Sequence, residues 1–252
     1  MNNQPIIQSL NTGIKLIEII VNANKPLKFS DIQQLTKMTK SNLHKYLNTL
    51  TINGILFRDN SGYYYLGSKL IEFGNAAIGH IDLIDLAGSY LKNISEQTGL
   101  TTLLSVWSTN EPVIAHISRS NLAINIGATI GTKLPPLSSA GKIYMAFAEA
   151  LQIEEWKKEG LKHLNQGELN KLETNLSHIR KVKFSYAAEP LVDHISSFSL
   201  PILNFEKKLV GVITVVGFHE QIPKNIDNNI VKIAMKEAFE LAKAFGFKKD
   251  II

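Results

Sequence analysis

Ile7, Leu10, Ile14, Ile17 and Val21 recur at steps of three and four, the apolar stripe of a first helix. "NANKP" at 22–26 breaks that pattern, and "FSDIQQLTKM" follows. Ser30 and Gln33 have the spacing of a capping box, and Ile32, Leu35 and Met38 give a short second helix its inner face. Thr39 is placed to cap a third helix with Leu43, Leu47 and Leu50 inside, ended by "NG" at 53–54. Two aromatic-rich runs, "ILFR" at 55–58 and "YYYLG" at 63–67, flank the turn "DNSG" and predict a hairpin. Alternation along that strand sets Tyr64 and Leu66 inward and Tyr63 and Tyr65 outward. Helix, helix, turn, helix, hairpin is the order of a winged helix-turn-helix, predicted over residues 1–67.

From Gly67 a connector runs into a helical stripe of Ile84, Ala87, Leu91 and Ile94. The period then changes. "TTLLSVW" from 101, "EPVIAHIS" from 111 and "LAINIGATIG" from 122 read as strands. "SSAGKIYMAFAEAL" at 138–151 reads as one helix and Glu168 to Lys183 as another. "ISSFSLPIL" and "LVGVITVVGF" are strands around the turn "NFEKK", and "NNIVKIAMKEAFELAKAF" closes the chain as an amphipathic helix. The fold class is α+β, mainly antiparallel, with helices at both ends of the second part.

Charge sharpens this division. Residues 1–72 hold eight Lys/Arg and four Asp/Glu, a balance of +4 out of a total of +5. A basic module attached to a neutral one suits an anionic partner such as nucleic acid. The chain has no Cys, which excludes disulfides and thiolate metal sites. No apolar run reaches the roughly 18 residues of a membrane span. The first residues lack a charged segment followed by a long apolar one, so a cytoplasmic location without membrane contact is expected.

The third helix carries the most specific chemistry. At about 100° per residue, Ser41, Lys45 and Asn48 fall opposite Leu43, with Asn42 and His44 on the flanks. Lys binds phosphate or guanine, Asn pairs with adenine, and Ser serves either. The helix start at Thr39, Lys40 and Ser41 adds amides for a phosphate. An ordinary solvated helix usually carries Glu among its polar residues, and this segment has none. Arg58, Tyr63 and Tyr65 of the hairpin complete the expected DNA-binding set.

"MTKSNLHKYLNTLTINGIL", "GYYYLGSKLIEFG", "SSAGK", "IRKVKFSYA" and "SLPIL…LVGVITVVG" together resemble the IclR family of bacterial transcription regulators, over about residues 7–246. The resemblance implies a winged helix (1–67), a linker helix (68–80) and a GAF-like effector-binding domain (81–252). It implies dimers, often paired into tetramers, on palindromic double-stranded DNA operators. It also implies an effector pocket lined by Ser138, Ser139, Ala140, Glu189, Asp193, Ser197, Ser199 and Thr214. Leu137 stands where family members often have His, and Tyr63 and Tyr65 where wings often carry charge.

The expected effector is small and polar. Helix-start amides and hydroxyls favour a carboxylate, whereas Glu189 favours a neutral sugar or an amine. The alternative for these Ser and Thr residues is simple bonding to backbone. "SSAGK" lacks the glycine spacing and the Ser/Thr after Lys of a nucleotide loop. His178, Asp193 and His194 lack metal-ligand spacing, so no metal and no cofactor is expected. No nucleophile–base pair is visible, and no catalytic residue is assigned. The reading is therefore a ligand-responsive repressor of nearby metabolic genes rather than an enzyme. A small-molecule hydrolase with a DNA-binding appendage and a constitutive DNA-binding protein are the alternatives.

Overall fold

A computed structural model describes residues 5–23, 25–79, 82–119, 129–188 and 193–248, with side chains 75–79 left aside. The chain forms two compact units, Met1–His80 and Ile81–Ile252. Among the described residues no helix is long and apolar enough to cross a membrane.

The first unit runs α1 (Gln8–Asn22), β1 (Leu27–Lys28), α2 (Phe29–Thr36), α3 (Lys40–Ile52), β2 (Leu56–Arg58), β3 (Tyr63–Leu66) and α4 (Lys69–Gly79). The strands form a sheet in the order β1-β3-β2, all antiparallel. Its core is Leu16, Ile20, Leu27, Ile32, Leu43, Leu47, Leu56 and Tyr64.

Several details differ from the sequence pattern. Ile7, just before α1, and Leu10, Ile14 and Val21 within it face outward, with Ile7 70% exposed, and the helix buries Leu16 and Ile20 instead. Apolar residues occupy more than one side of α1, and periodicity does not say which side meets the core. α2 starts at Phe29, so Asp31 rather than Gln33 reaches back, accepting the Lys28 N–H at 2.9 Å. Leu35 is 57% exposed because the short α2 turns only Ile32 fully inward. Tyr64 is buried as expected, but Leu66 is 45% exposed. β1 pairs only with Tyr63 and Tyr64, so β3 outruns it there.

The end of α3 and the start of α4 are stapled together. Gly67 N–H donates to the Ile55 carbonyl at 2.8 Å and Lys69 N–H to the Gly54 carbonyl at 3.2 Å. A Cβ at Gly67 would lie 2.0 Å from the Gly54 oxygen, so only glycine fits.

The second unit runs α5 (Leu83–Thr98), β4 (Thr101–Ser108), β5 (Glu111–Ser118), α6 (Ser139–Phe147), α7 (Ala150–Leu161), α8 (Gln166–Val182), β6 (Ser185–Ala188), β7 (Ile195–Leu203), β8 (Leu209–Phe218) and α9 (Asn229–Ala244). Its sheet is antiparallel in the order β5-β4-β8-β7-β6. α5 and α9 cover one face, packing on Leu104, Phe198, Leu200, Ile202, Ile213 and Val215. α6, α7 and α8 cover the other, packing on Leu103, Val212 and Val216. Along α5, Ala87, Leu91 and Ile94 are buried while Ile84 is exposed.

The helix expected over 138–151 ends at Phe147, and a second helix, α7, starts at Ala150 and runs on to Leu161, which the pattern did not predict. Ala148 is extended (ψ 159°) and separates α6 from α7. Arg180 of α8 donates from Nε to the Ala146 carbonyl at 2.9 Å, which satisfies a helix-end acceptor. Gly141 lets α6 lie on the Pro135–Pro136 backbone, since a Cβ there would come within 2.2 Å of the Pro135 oxygen. The strand expected at 122–131 lies mostly outside the described residues.

Gly67→Ala is expected to destabilise the first unit by about 1–3 kcal/mol, the usual range for overpacking. Thermal unfolding followed by circular dichroism checks this; an unchanged first transition contradicts the staple.

Candidate functional site

Two sets of residues carry chemistry, one in each unit. The first is α3. Thr39 caps it, its Oγ1 accepting the Asn42 N–H at 3.4 Å. Leu43 and Leu47 anchor the helix in the core, which turns Lys40, Ser41, Asn42, His44, Lys45 and Asn48 out to solvent. No carboxylate lies on α3. Its exposed face offers ammonium, amide, hydroxyl and imidazole groups on a helix that starts with free polar side chains. Such a face can donate to phosphates and read base edges.

The hairpin β2–β3 supplies the wing. Arg58 is exposed, with its guanidinium carbon 5.4 Å from the Tyr64 ring centroid. The half-buried Tyr63 lies under the Lys28 ammonium at 4.9 Å. Tyr65 donates from its hydroxyl to Asp59 at 3.1 Å. Asp59 also accepts from the backbone N–H groups of Ser61 and Tyr63 at 3.0 and 2.8 Å. The Tyr63 amide, with these other bonds, holds the Asp59 carboxyl below its usual pKa, and the bond to Asp59 raises that of Tyr65. The wing tip is thus a folded, partly anionic turn, so the basic contribution comes from its stem at Arg58 and Lys28.

The second set lies in the other unit, where β6, β7, β8 and β4 face α6. Ser139 Oγ is 2.7 Å from Ser197 Oγ and 2.8 Å from Ser199 Oγ, and Ser199 Oγ is 2.8 Å from Thr214 Oγ1. All four side chains are buried. Four residues spread over seventy-five positions of sequence therefore meet in one hydroxyl cluster. Two buried hydroxyls flank it on the same face and have no hydrogen-bond partner among the described residues, Ser185 Oγ and Thr101 Oγ1. Ser185 stands opposite Ser199, and Thr101 opposite Val216, itself opposite Ser197. An unsatisfied buried hydroxyl costs about 1–3 kcal/mol. A polar group that bonded to them would remove that cost.

The other expected residues differ in placement. Ser138 caps α6: its Oγ accepts the Gly141 N–H at 2.9 Å and donates to the Pro135 carbonyl at 2.8 Å. Ala140 packs in the core under α6. Asp193 is exposed in a turn. Glu189 lies outside the described residues. His178, Asp193 and His194 are all exposed, and among the described residues no three His, Asp or Glu side chains group as metal ligands.

Sequence reasoning did not single out Ser185, Thr101 or Lys142. β6 has only four residues, too few to show alternation. Lys142 Nζ donates to the Tyr186 carbonyl at 3.0 Å, and burial pushes its pKa down. The Tyr144 hydroxyl donates to Ser105 at 3.4 Å, and burial raises its pKa.

Comparison with known proteins bears on both sets. The model described as "IclR helix-turn-helix domain" matches residues 9–60, and "Bacterial transcriptional regulator IclR C-terminal" matches residues 75–242. The HTH-type transcriptional regulator XynR of Escherichia coli (strain K12) is 24% identical over 249 residues, 96% of this chain and 99% of that protein. The crystal structure of Pseudomonas aeruginosa HmgR superposes with a TM-score of 0.82 at 20% identity, covering 96% of this chain and 99% of that one. A homologue from Microbacterium hydrocarbonoxydans, solved in complex with 4-hydroxybenzoate, gives 0.54 at 20% identity, covering 94% of this chain and 99% of that one.

Lys45→Ala and Asn48→Ala are each expected to weaken specific DNA binding by about 1–3 kcal/mol, the worth of one good base contact. Both side chains are exposed, so the thermal midpoint should not move. Fluorescence anisotropy on a selected operator duplex measures the loss; wild-type affinity in both variants removes α3 as the reading helix.

Proposed function

The chain belongs to the IclR family of bacterial transcriptional regulators, and from that premise we propose that it is a ligand-controlled repressor acting on DNA in the cytoplasm. The observation that carries this reading is the acid-free, solvent-facing side of α3 on a winged helix. Residues 1–67 read the operator, 68–80 link, and 81–252 bind the effector.

One short helix and a balance of +4 are too little for tight specific binding, so two copies act together on a palindromic site. The exposed apolar residues Ile7, Leu10, Ile71 and Phe73 of α1 and α4 are what a second copy would cover. Pairing of such dimers gives a tetramer. Repression needs only that the bound protein occlude the promoter.

The effector belongs at the hydroxyl cluster of Ser139, Ser197, Ser199 and Thr214, with Ser185 and Thr101 as further partners. A small carboxylate fits there, because these hydroxyls sit at the start of α6, where helix amides favour negative charge. The complex of the Microbacterium homologue with 4-hydroxybenzoate supports that class of ligand. Effector binding would favour one of two conformations with different spacing of the paired α3 helices. Half-sites lie at a fixed separation, so a small change in spacing releases the operator.

Selection from a random duplex pool with the full-length protein should enrich an inverted repeat with half-sites one helical turn, or a multiple of it, apart. Phe73→Asp should weaken both sedimentation as an oligomer and binding to that repeat. A monomer that binds the repeat with high affinity contradicts the paired arrangement.

Ser199→Ala and Thr214→Val should leave operator binding intact and abolish release by small carboxylates, screened in a panel that begins with 4-hydroxybenzoate. Normal release by both variants would move the effector site elsewhere.

A further inference from the structure

The other face of the second unit carries a groove of about 500 Å3 between α9 and the end of β7. β6 pairs only with Ser196–Ser199, so β7 continues past its edge neighbour for four residues, and α9 crosses above that extension. Leu200, Leu203, Met235 and Phe239 give the groove hydrocarbon walls. Its volume lies within the usual range for a small-molecule site.

The polar groups at this groove are three lysines: Lys183, Lys232 and Lys236. No Asp or Glu lines it. Among the described residues none of the three lysines forms an ion pair, whereas Lys243 of the same helix pairs with Glu240 at 2.7 Å. Local helix rules argue against this arrangement. Lys232 is the fourth residue of α9, near the helix end whose dipole disfavours cations. Lys232 and Lys236 stand four residues apart on that helix, a spacing at which like charges repel. Sequences tend to break local rules in this way where a binding function compensates.

We infer that this groove binds a small amphipathic carboxylate, with its apolar body against Leu200, Leu203, Met235 and Phe239 and its head group at the three lysines. The ammonium groups are point charges without the fork of Arg, which suits one carboxylate better than a chelated phosphate. The site lies across the sheet from the hydroxyl cluster and shares no residue with it, so it is a second ligand site. It does not depend on where the effector binds.

Calorimetry on the full-length protein tests this, with decanoate below its micellar concentration as the anionic probe and 1-decanol as the neutral one. The expected result is one decanoate per chain. Its affinity should fall at least tenfold in the Lys232→Gln/Lys236→Gln double variant, while decanol binding changes less than twofold. Ser199→Ala should leave decanoate binding unchanged. Four results overturn the proposal: no binding of decanoate, equal loss of decanoate and decanol affinity, unchanged decanoate affinity in the double variant, or loss of binding in Ser199→Ala. If a second copy of the chain covers the groove instead, decanoate fails to bind and the lysine substitutions shift sedimentation, which also overturns it.

Discussion

The two-residue period of β7 divides the second unit. Ser197 and Ser199 point to α6, while Phe198, Leu200 and Ile202 point to α5 and α9. β8 repeats the division, with Thr214 on one side and Ile213 and Val215 on the other. Antiparallel pairing in fixed register brings these alternations together, because residues opposite each other share a face. A slip of one residue would put hydroxyls into the hydrocarbon under α9 and phenyl rings against Ser139. Both the hydroxyl cluster and the lysine-rimmed groove rest on that one register.

The winged helix shows a different balance. Its core is small, and Leu43 and Leu47 do two things at once. They fill the centre of the unit, and by doing so they fix which side of α3 is wet. The wing tip is held by Asp59, whose carboxylate gathers two backbone amides and the Tyr65 hydroxyl. These bonds keep the carboxylate ionised, so the tip stays anionic and the basic groups of the wing lie away from it.

Much of this architecture was legible in the sequence, and the failures have physical causes. α3 with its Thr39 cap, and β4, β5, β7, β8 and α9, are long or strongly periodic, and the short hairpin strands are marked by their aromatic residues and the turn between them, so local pattern and tertiary structure agree. The meeting of Ser139 with Ser197, Ser199 and Thr214 came from resemblance, since nothing local joins residues so far apart. The pattern could not say which side of α1 is buried, because Ile7, Leu10 and Ile14 are as apolar as Leu16 and Ile20. The break at Ala148 was missed because the group that satisfies the end of α6 is Arg180, more than thirty residues away. β1 and β6 have two and four residues, too short for a period to appear.

The contact between Gly67 and Gly54 has a mechanical meaning. Two backbone hydrogen bonds and a contact with no room for a side chain leave no soft joint between the end of α3 and the start of α4. The two helices form a stiff bracket. A twist applied to α4 therefore reaches α3 as a rotation of the whole unit, with little of it lost in bending the connection. The absence of a methyl group at one position makes α4 a lever rather than a tether.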